Sequence, residues 1–181
     1  MFLTYLISTV VTLYVAALLM RVWMQWARAD YYNPFAQTIV RITQPVLRPL
    51  RRIIPAIGPI DTSAVLLAYL LITASLPLIF VAPSSISIAS YFLLGLAGLV
   101  KAAGKLLFWV LIIRAIMSWI SQGRSPVDHL LYQLTEPLMS PIRRIIPAFG
   151  GLDFSVMIIL FILTGLNYLG YDFLGPVWGA L

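Results

Sequence analysis

The sequence predicts an all-α membrane protein of four transmembrane helices, arranged as two tandem parallel repeats. Each repeat carries a short interfacial amphipathic helix and a Pro/Arg-rich elbow. Three observations carry this. The chain is 61% hydrophobic and only 10% charged, with a mean hydropathy of +0.98, whereas soluble domains carry about 25% charged residues. Four apolar stretches, roughly 2–26, 64–82, 95–121 and 154–175, approach or exceed the ~20 residues that cross a ~30 Å hydrocarbon core. Finally, residues 43–63 and 135–155 align without a gap, and 12 of 21 positions are identical.

The first stretch, "MFLTYLISTVVTLYVAALLMRVW", lacks a basic leader and a small-residue cleavage site, and its apolar run is longer than that of a secretory signal. It is expected to be a retained span. The first repeat then covers 1–83, with 84–94 as a linker and the second repeat at 95–181. The stretch 84–100 is apolar enough to suggest a fifth span, but residue 95 aligns with residue 2, so it reads as a linker or as the lead-in to a long third helix. Two spans per repeat is an even number, so both copies enter from one side and are related by an axis along the membrane normal.

Each interfacial helix has its own start signal. Asn33-Pro34 and Ser125-Pro126 are N-caps followed by proline at the first helical position. Phe35, Thr38, Ile39 and Ile42, and likewise Val127, Leu130, Leu131 and Leu134, then fall at i, i+3, i+4, i+7, one stripe suited to an interface. Pro45, Pro49 and Pro55, with Pro137, Pro141 and Pro147, are expected to stop the helix and turn the chain repeatedly. Gly58 and Gly150 follow. Asp61 and Asp153 stand at the restarts of the spans, either as N-caps or as salt-bridge partners of the arginine pair.

Arg48, Arg51, Arg52, Arg143 and Arg144 are the candidate lipid- or partner-binding residues, because guanidinium suits phosphate geometry. Ten of the twelve basic residues lie between Arg21 and Asp61 or between Arg114 and Asp153. The positive-inside rule therefore places both elbows in the cytoplasm and both termini outside a bacterial inner (plasma) membrane. Of the intramembrane charges, Arg21 and Arg114 are expected to snorkel from the span ends. Lys101 and Lys105 share one face of the third span. Thr73, Ser75, Thr164 and Asn167 are expected to make helix–helix hydrogen bonds.

No cysteine is present and His129 is the single histidine. Neither a nucleotide-binding loop nor a hydrolase or metalloprotease motif occurs. The expectation is no enzyme, no metal and no cofactor. The expected partners are anionic phospholipid, the membrane and a membrane or cytoplasmic protein, with oligomerisation open. A nucleic-acid role is disfavoured because the arginines alternate with apolar anchors. An ion or osmolyte pathway is the rival reading.

The paired "P-[IL]-R-R-I-I-P-A-x-G-x-[IL]-D-x-S" elements resemble the signature of the YggT family, and the resemblance covers nearly the whole chain. It implies a small multi-pass inner-membrane protein without established enzymatic chemistry. Relatives are linked to osmotic or envelope stress, ion flux, cell division and, in plastids, nucleoid distribution and cytochrome assembly.

Overall fold

The computed structural model describes residues 2–79, 87–120, 125–145 and 154–181. The described residues form helices and no strand: α1 (Phe2–Trp26), α2 (Pro34–Leu50), α3 (Thr62–Ile79), α4 (Ile88–Ile120), α5 (Pro126–Ile145), α6 (Phe154–Leu174) and α7 (Pro176–Ala180). Among them, Phe2–Trp26, Ile88–Met117 and Ser155–Leu174 are long and apolar enough to cross a membrane, and Thr62–Leu78 is a shorter apolar helix. At 1.5 Å per residue, the 25 residues of α1 extend about 37 Å, more than a hydrocarbon core requires. Residues 88–94 of the expected linker are helical and open α4.

The starts of α2 and α5 follow their caps: Asn33 Oδ1 accepts the Phe35 N–H at 2.9 Å, and Ser125 Oγ accepts that of Val127 at 3.2 Å. Their ends correct the sequence reading. Both helices run on through the prolines expected to stop them, Pro45 and Pro49 in α2 and Pro137 and Pro141 in α5. Each proline deprives one carbonyl of its helical donor. The two prolines of a pair are four residues apart, so both losses fall on one face. All four prolines are exposed, and water or headgroups can satisfy the freed carbonyls there. The turn comes after Leu50 instead. Ile57 and Ile60 exchange backbone hydrogen bonds at 3.2 and 3.3 Å across Gly58 and Pro59. Gly58 sits at φ +60°, a conformation that favours glycine. Pro147, Gly150 and Asp153 lie outside the described residues.

Three apolar clusters hold the helices. Val15, Leu18, Leu47, Ala64 and Ala68 join α1, α2 and α3. Leu111, Met139 and Ile159 join α4, α5 and α6 at corresponding positions. Met20, Met24, Ala36, Val110, Leu130, Leu131 and Leu134 then lock α1 and α2 to α4 and α5. Polar ties reinforce that seam: the Trp23 indole donates to the Leu134 carbonyl at 3.0 Å, and Asn33 Nδ2 to that of Pro126 at 2.5 Å. α3 also packs closely on α4. A Cβ at Gly95 would overlap Thr73 Oγ1, so glycine permits the close helix approach. After a turn at Gly175 (φ +56°), α7 folds back and buries Trp178 against Gly170.

Candidate functional site

The residues with the most chemistry collect where α1, α2 and the start of α3 meet. Arg21 lies on α1 and is only 4% exposed. It donates from one terminal nitrogen to Thr43 Oγ1 at 2.8 Å and from the other to Gln44 Oε1 at 2.6 Å. Its Nε stands 3.7 Å from Asp61 Oδ2. Simple snorkelling is therefore not what Arg21 does. A long cationic side chain beside an amphipathic helix finds oxygens nearer than water, and burying it without them would cost several kcal/mol.

Asp61 is the hub. Its side chain is fully buried, and Oδ2 pairs with the Arg51 guanidinium. Arg51 Nε also donates to that oxygen at 3.1 Å, and Oδ1 accepts from Ser63 Oγ. The Asp61 backbone carbonyl meanwhile accepts the Ala64 and Val65 N–H groups at 3.0 and 3.1 Å. The residue thus starts α3 with its backbone and clamps the turn after α2 with its side chain. Burial pushes the carboxyl pKa up, but hydrogen bonds from Arg51 and Ser63 and the Arg51 charge outweigh it, holding the group below the usual carboxylate range. Tyr31, in the turn between α1 and α2, is pushed upward chiefly by burial, against the charges of Arg21 and Arg51.

In the second half, the described residues build a related site. The Arg114 guanidinium reaches Thr135 Oγ1 and Met139 Sδ of α5 and stands 5.2 Å from the centre of the Tyr132 ring. Like Arg21, it ties a long helix to its amphipathic neighbour rather than reaching for water. Arg143 donates to both oxygens of Glu136 at 3.0 and 3.1 Å. Arg48, Arg52 and Arg144 are exposed, with no ion-pair partner among the described residues.

The amphipathic helices face three ways. On α2, Ala36, Val40, Thr43 and Leu47 point into the protein. Phe35, Ile42 and Val46 are apolar and exposed, and Gln37, Arg41, Gln44 and Arg48 form a polar stripe. At about 100° per residue, the exposed apolar and polar faces lie on opposite sides of the protein-facing one. On α5 the apolar face is covered, because Leu130, Leu131 and Leu134 are buried in the seam with α1. The sequence stripe did not reveal that Phe35 and Ile42 would stay outward, since periodicity does not say which face meets protein.

Farther along α4, Lys101 Nζ is held by the carbonyls of Trp178 and Gly179 and lies 5.4 Å from the Trp178 ring centre. Lys105 is exposed. Cavities of about 420 and 540 Å³ flank the two lysines. The second is lined by Thr164, Asn167 and Tyr171 among others. Among the described residues, the three hydroxyls stay within their helices: Thr73, Ser75 and Thr164 each donate to a carbonyl of their own helix, at 2.7–2.8 Å. Hydroxyls three or four residues beyond a carbonyl reach it without a partner helix. Asn167 of α6 does make the expected bond between helices, accepting from the Trp178 indole of α7 at 2.9 Å, although α7 is too short to show a pattern in the sequence. His129 is exposed, 3.1 Å from Gln133 Nε2. No group of three or more His, Asp or Glu side chains could hold a metal among the described residues.

The CCB3/YggT family model matches the chain twice, over residues 1–82 and 93–174. A Vibrio alginolyticus protein named for the proC 3′ region is 52% identical over 181 residues, 98% of each chain. The Escherichia coli YggT protein is 51% identical over 165 residues, 91% of this chain and 87% of its own. A Haemophilus influenzae protein is 40% identical over 172 residues, 95% of this chain and 93% of its own. No solved structure matches. With the family model matched over both halves and relatives near 50% identity along their length, the chain belongs to the CCB3/YggT family.

Proposed function

We propose that this protein is a non-enzymatic scaffold of the bacterial inner membrane. It has four spans in two parallel repeats, and its basic elbows rest on anionic phospholipid at the cytoplasmic surface. There they are available to a membrane or cytoplasmic partner protein, in a role tied to envelope assembly or osmotic stress. The observation that carries the reading is the three-faced α2. A helix with one flank on protein, one apolar flank open and one cationic flank open fits a membrane boundary seen edge-on. Exposed Arg52 and Arg144 beside exposed Ile53 and Ile145 supply the same pairing of headgroup and acyl contacts at both elbows. The double match of the family model supports two like-oriented repeats.

The chain has no cysteine, so single cysteines report topology cleanly. Ile53→Cys and Ile145→Cys should both be blocked by a membrane-impermeant maleimide in inside-out vesicles and neither in right-side-out ones. Labelling of the two from opposite sides overturns the parallel arrangement.

The cavities beside Lys101 and Lys105 favour a second reading, an ion or osmolyte pathway. It requires flux in proteoliposomes that falls in Lys105→Ala or Asn167→Ala. Protein-independent flux removes it.

A further inference from the structure

Among the described residues, α2 lines an open cationic groove. Gln37, Arg41, Gln44 and Arg48 follow one another at spacings of four, three and four, a single stripe on the helix. With Tyr31 and Pro45 they line a groove of about 630 Å³. Arg41 and Arg48 stand two turns apart, about 10.5 Å along the axis. Neither has an ion-pair partner among the described residues, and no carboxylate lines the groove. The Gln44 amide oxygen is occupied by Arg21 at 2.6 Å, which leaves its NH₂ group as a donor. Tyr31 adds a hydroxyl. On the far flank of the same helix, Phe35, Ile42 and Val46 are exposed, so one helix offers sites for an acyl chain and a phosphate. The corresponding α5 positions are His129, Gln133, Glu136 and Ser140, with no arginine and one carboxylate.

We propose that the α2 groove seats the phosphodiester headgroup of an anionic phospholipid, with Arg41 and Arg48 bracketing the phosphate, and that the second half has no equivalent seat. Guanidinium suits this role because its fork of donors matches phosphate oxygens. The seat rests on the reading of α2 as a helix at the membrane boundary. It adds to the two elbows a specific headgroup seat on one side of one helix, and it brings in Arg41, which lies outside the duplicated elbow.

The test is native mass spectrometry of the full-length protein in detergent, titrated with phosphatidylglycerol, phosphatidylcholine or glycerol 3-phosphate. Each basic residue near such a surface contributes about 1 kcal/mol, so Arg41→Gln/Arg48→Gln should bind phosphatidylglycerol about 30-fold more weakly. Arg52→Gln/Arg144→Gln removes the same charge from the elbow contacts and should cost distinctly less, at most about fivefold. Equal losses in the two pairs overturn the seat while sparing the wider reading of the elbows. No loss in either overturns both. Glycerol 3-phosphate binding as tightly as the lipid also overturns the seat, by making it a site for soluble phosphate. If the double variant fails to fold, Arg41→Gln and Arg48→Gln singly carry the test, each expected about fivefold weaker. Full affinity in both overturns the seat.

Discussion

Residues 43–63 and 135–155 share most of their side chains, yet among the described residues the first arginine of each pair is ion-paired with Asp61 in one copy and with Glu136 in the other. Arg51 binds Asp61, ten residues onward and across a turn. Arg143 binds Glu136, seven residues back on its own helix. Position 44 is glutamine where position 136 is glutamate. Neutral Gln44 accepts from Arg21 and leaves Arg51 to Asp61, whereas Glu136 supplies a charge within reach of Arg143. The Asp61 side chain is fully buried, while Arg143 and Glu136 are each 30% exposed. The Asp61 clamp is therefore the buried one, and the Arg143–Glu136 contact taken by itself is a partly exposed pair of small value.

The largest effect should come from Asp61→Asn. Removing one partner of a buried pair leaves the other charge uncompensated, which costs about 3–5 kcal/mol. Equilibrium unfolding in mixed detergent should show that loss. A change below about 1 kcal/mol, the scale of a surface pair, would erase the distinction between the two clamps.

The same carboxyl gives a pH signature. Its pKa in the folded state lies below the ordinary value of 3.8, so the unfolded chain takes up the proton first as pH falls. The stabilisation is complete above the ordinary carboxylate range and is lost as pH drops through the lower folded value. The wild-type melting temperature should therefore fall on acidification through that window more than that of Asp61→Asn.

The next contrast is between α3 and α6. Thr73 of α3 meets Gly95 of α4, but a Cβ at Gly165, which aligns with Thr73, would meet nothing within 4 Å. Gly95→Ala should destabilise by about 1–3 kcal/mol through overpacking. Gly165→Ala should be neutral or stabilise by up to about 1 kcal/mol, since alanine is the better helix residue. Similar melting shifts for the two would show that α3 is held no more tightly than α6.

Glu136→Gln should cost only about 0.2–1 kcal/mol, read in the same unfolding assay. The smallest expected effect concerns the end of α1. Arg28 adopts φ +53°, while its N–H bonds Gln25 and the Ala29 N–H bonds Met24 at 3.1 and 2.9 Å. These are the crossed bonds of a left-handed helix end that glycine favours. Arg28→Gly should be neutral or stabilising by up to about 1 kcal/mol in thermal unfolding.

Helix positions were largely legible in sequence because long apolar runs and proline-led caps are local signals. The stretch expected at 2–26 is α1, and that expected at 154–175 is α6 but for its last residue. The prolines misled for an equally local reason: a lost hydrogen bond is costly when buried, and only the placement of Pro45, Pro49, Pro137 and Pro141 on exposed faces reveals that these are not. Arg21 was legible as a charge near a span end, but its oxygens lie 19 to 40 residues away in sequence, and no spacing rule links them. Arg41 carries no repeat signal, because it lies upstream of the duplicated elbow.

By itself the sequence determined a helical, membrane-type chain and a twice-written basic motif, since hydropathy, capping and identity are properties of short windows. Only the tertiary structure decided which arginine is buried, which is clamped and which faces outward. Those outcomes depend on which helix covers which face, and a guanidinium takes the nearest desolvated oxygen that packing brings to it.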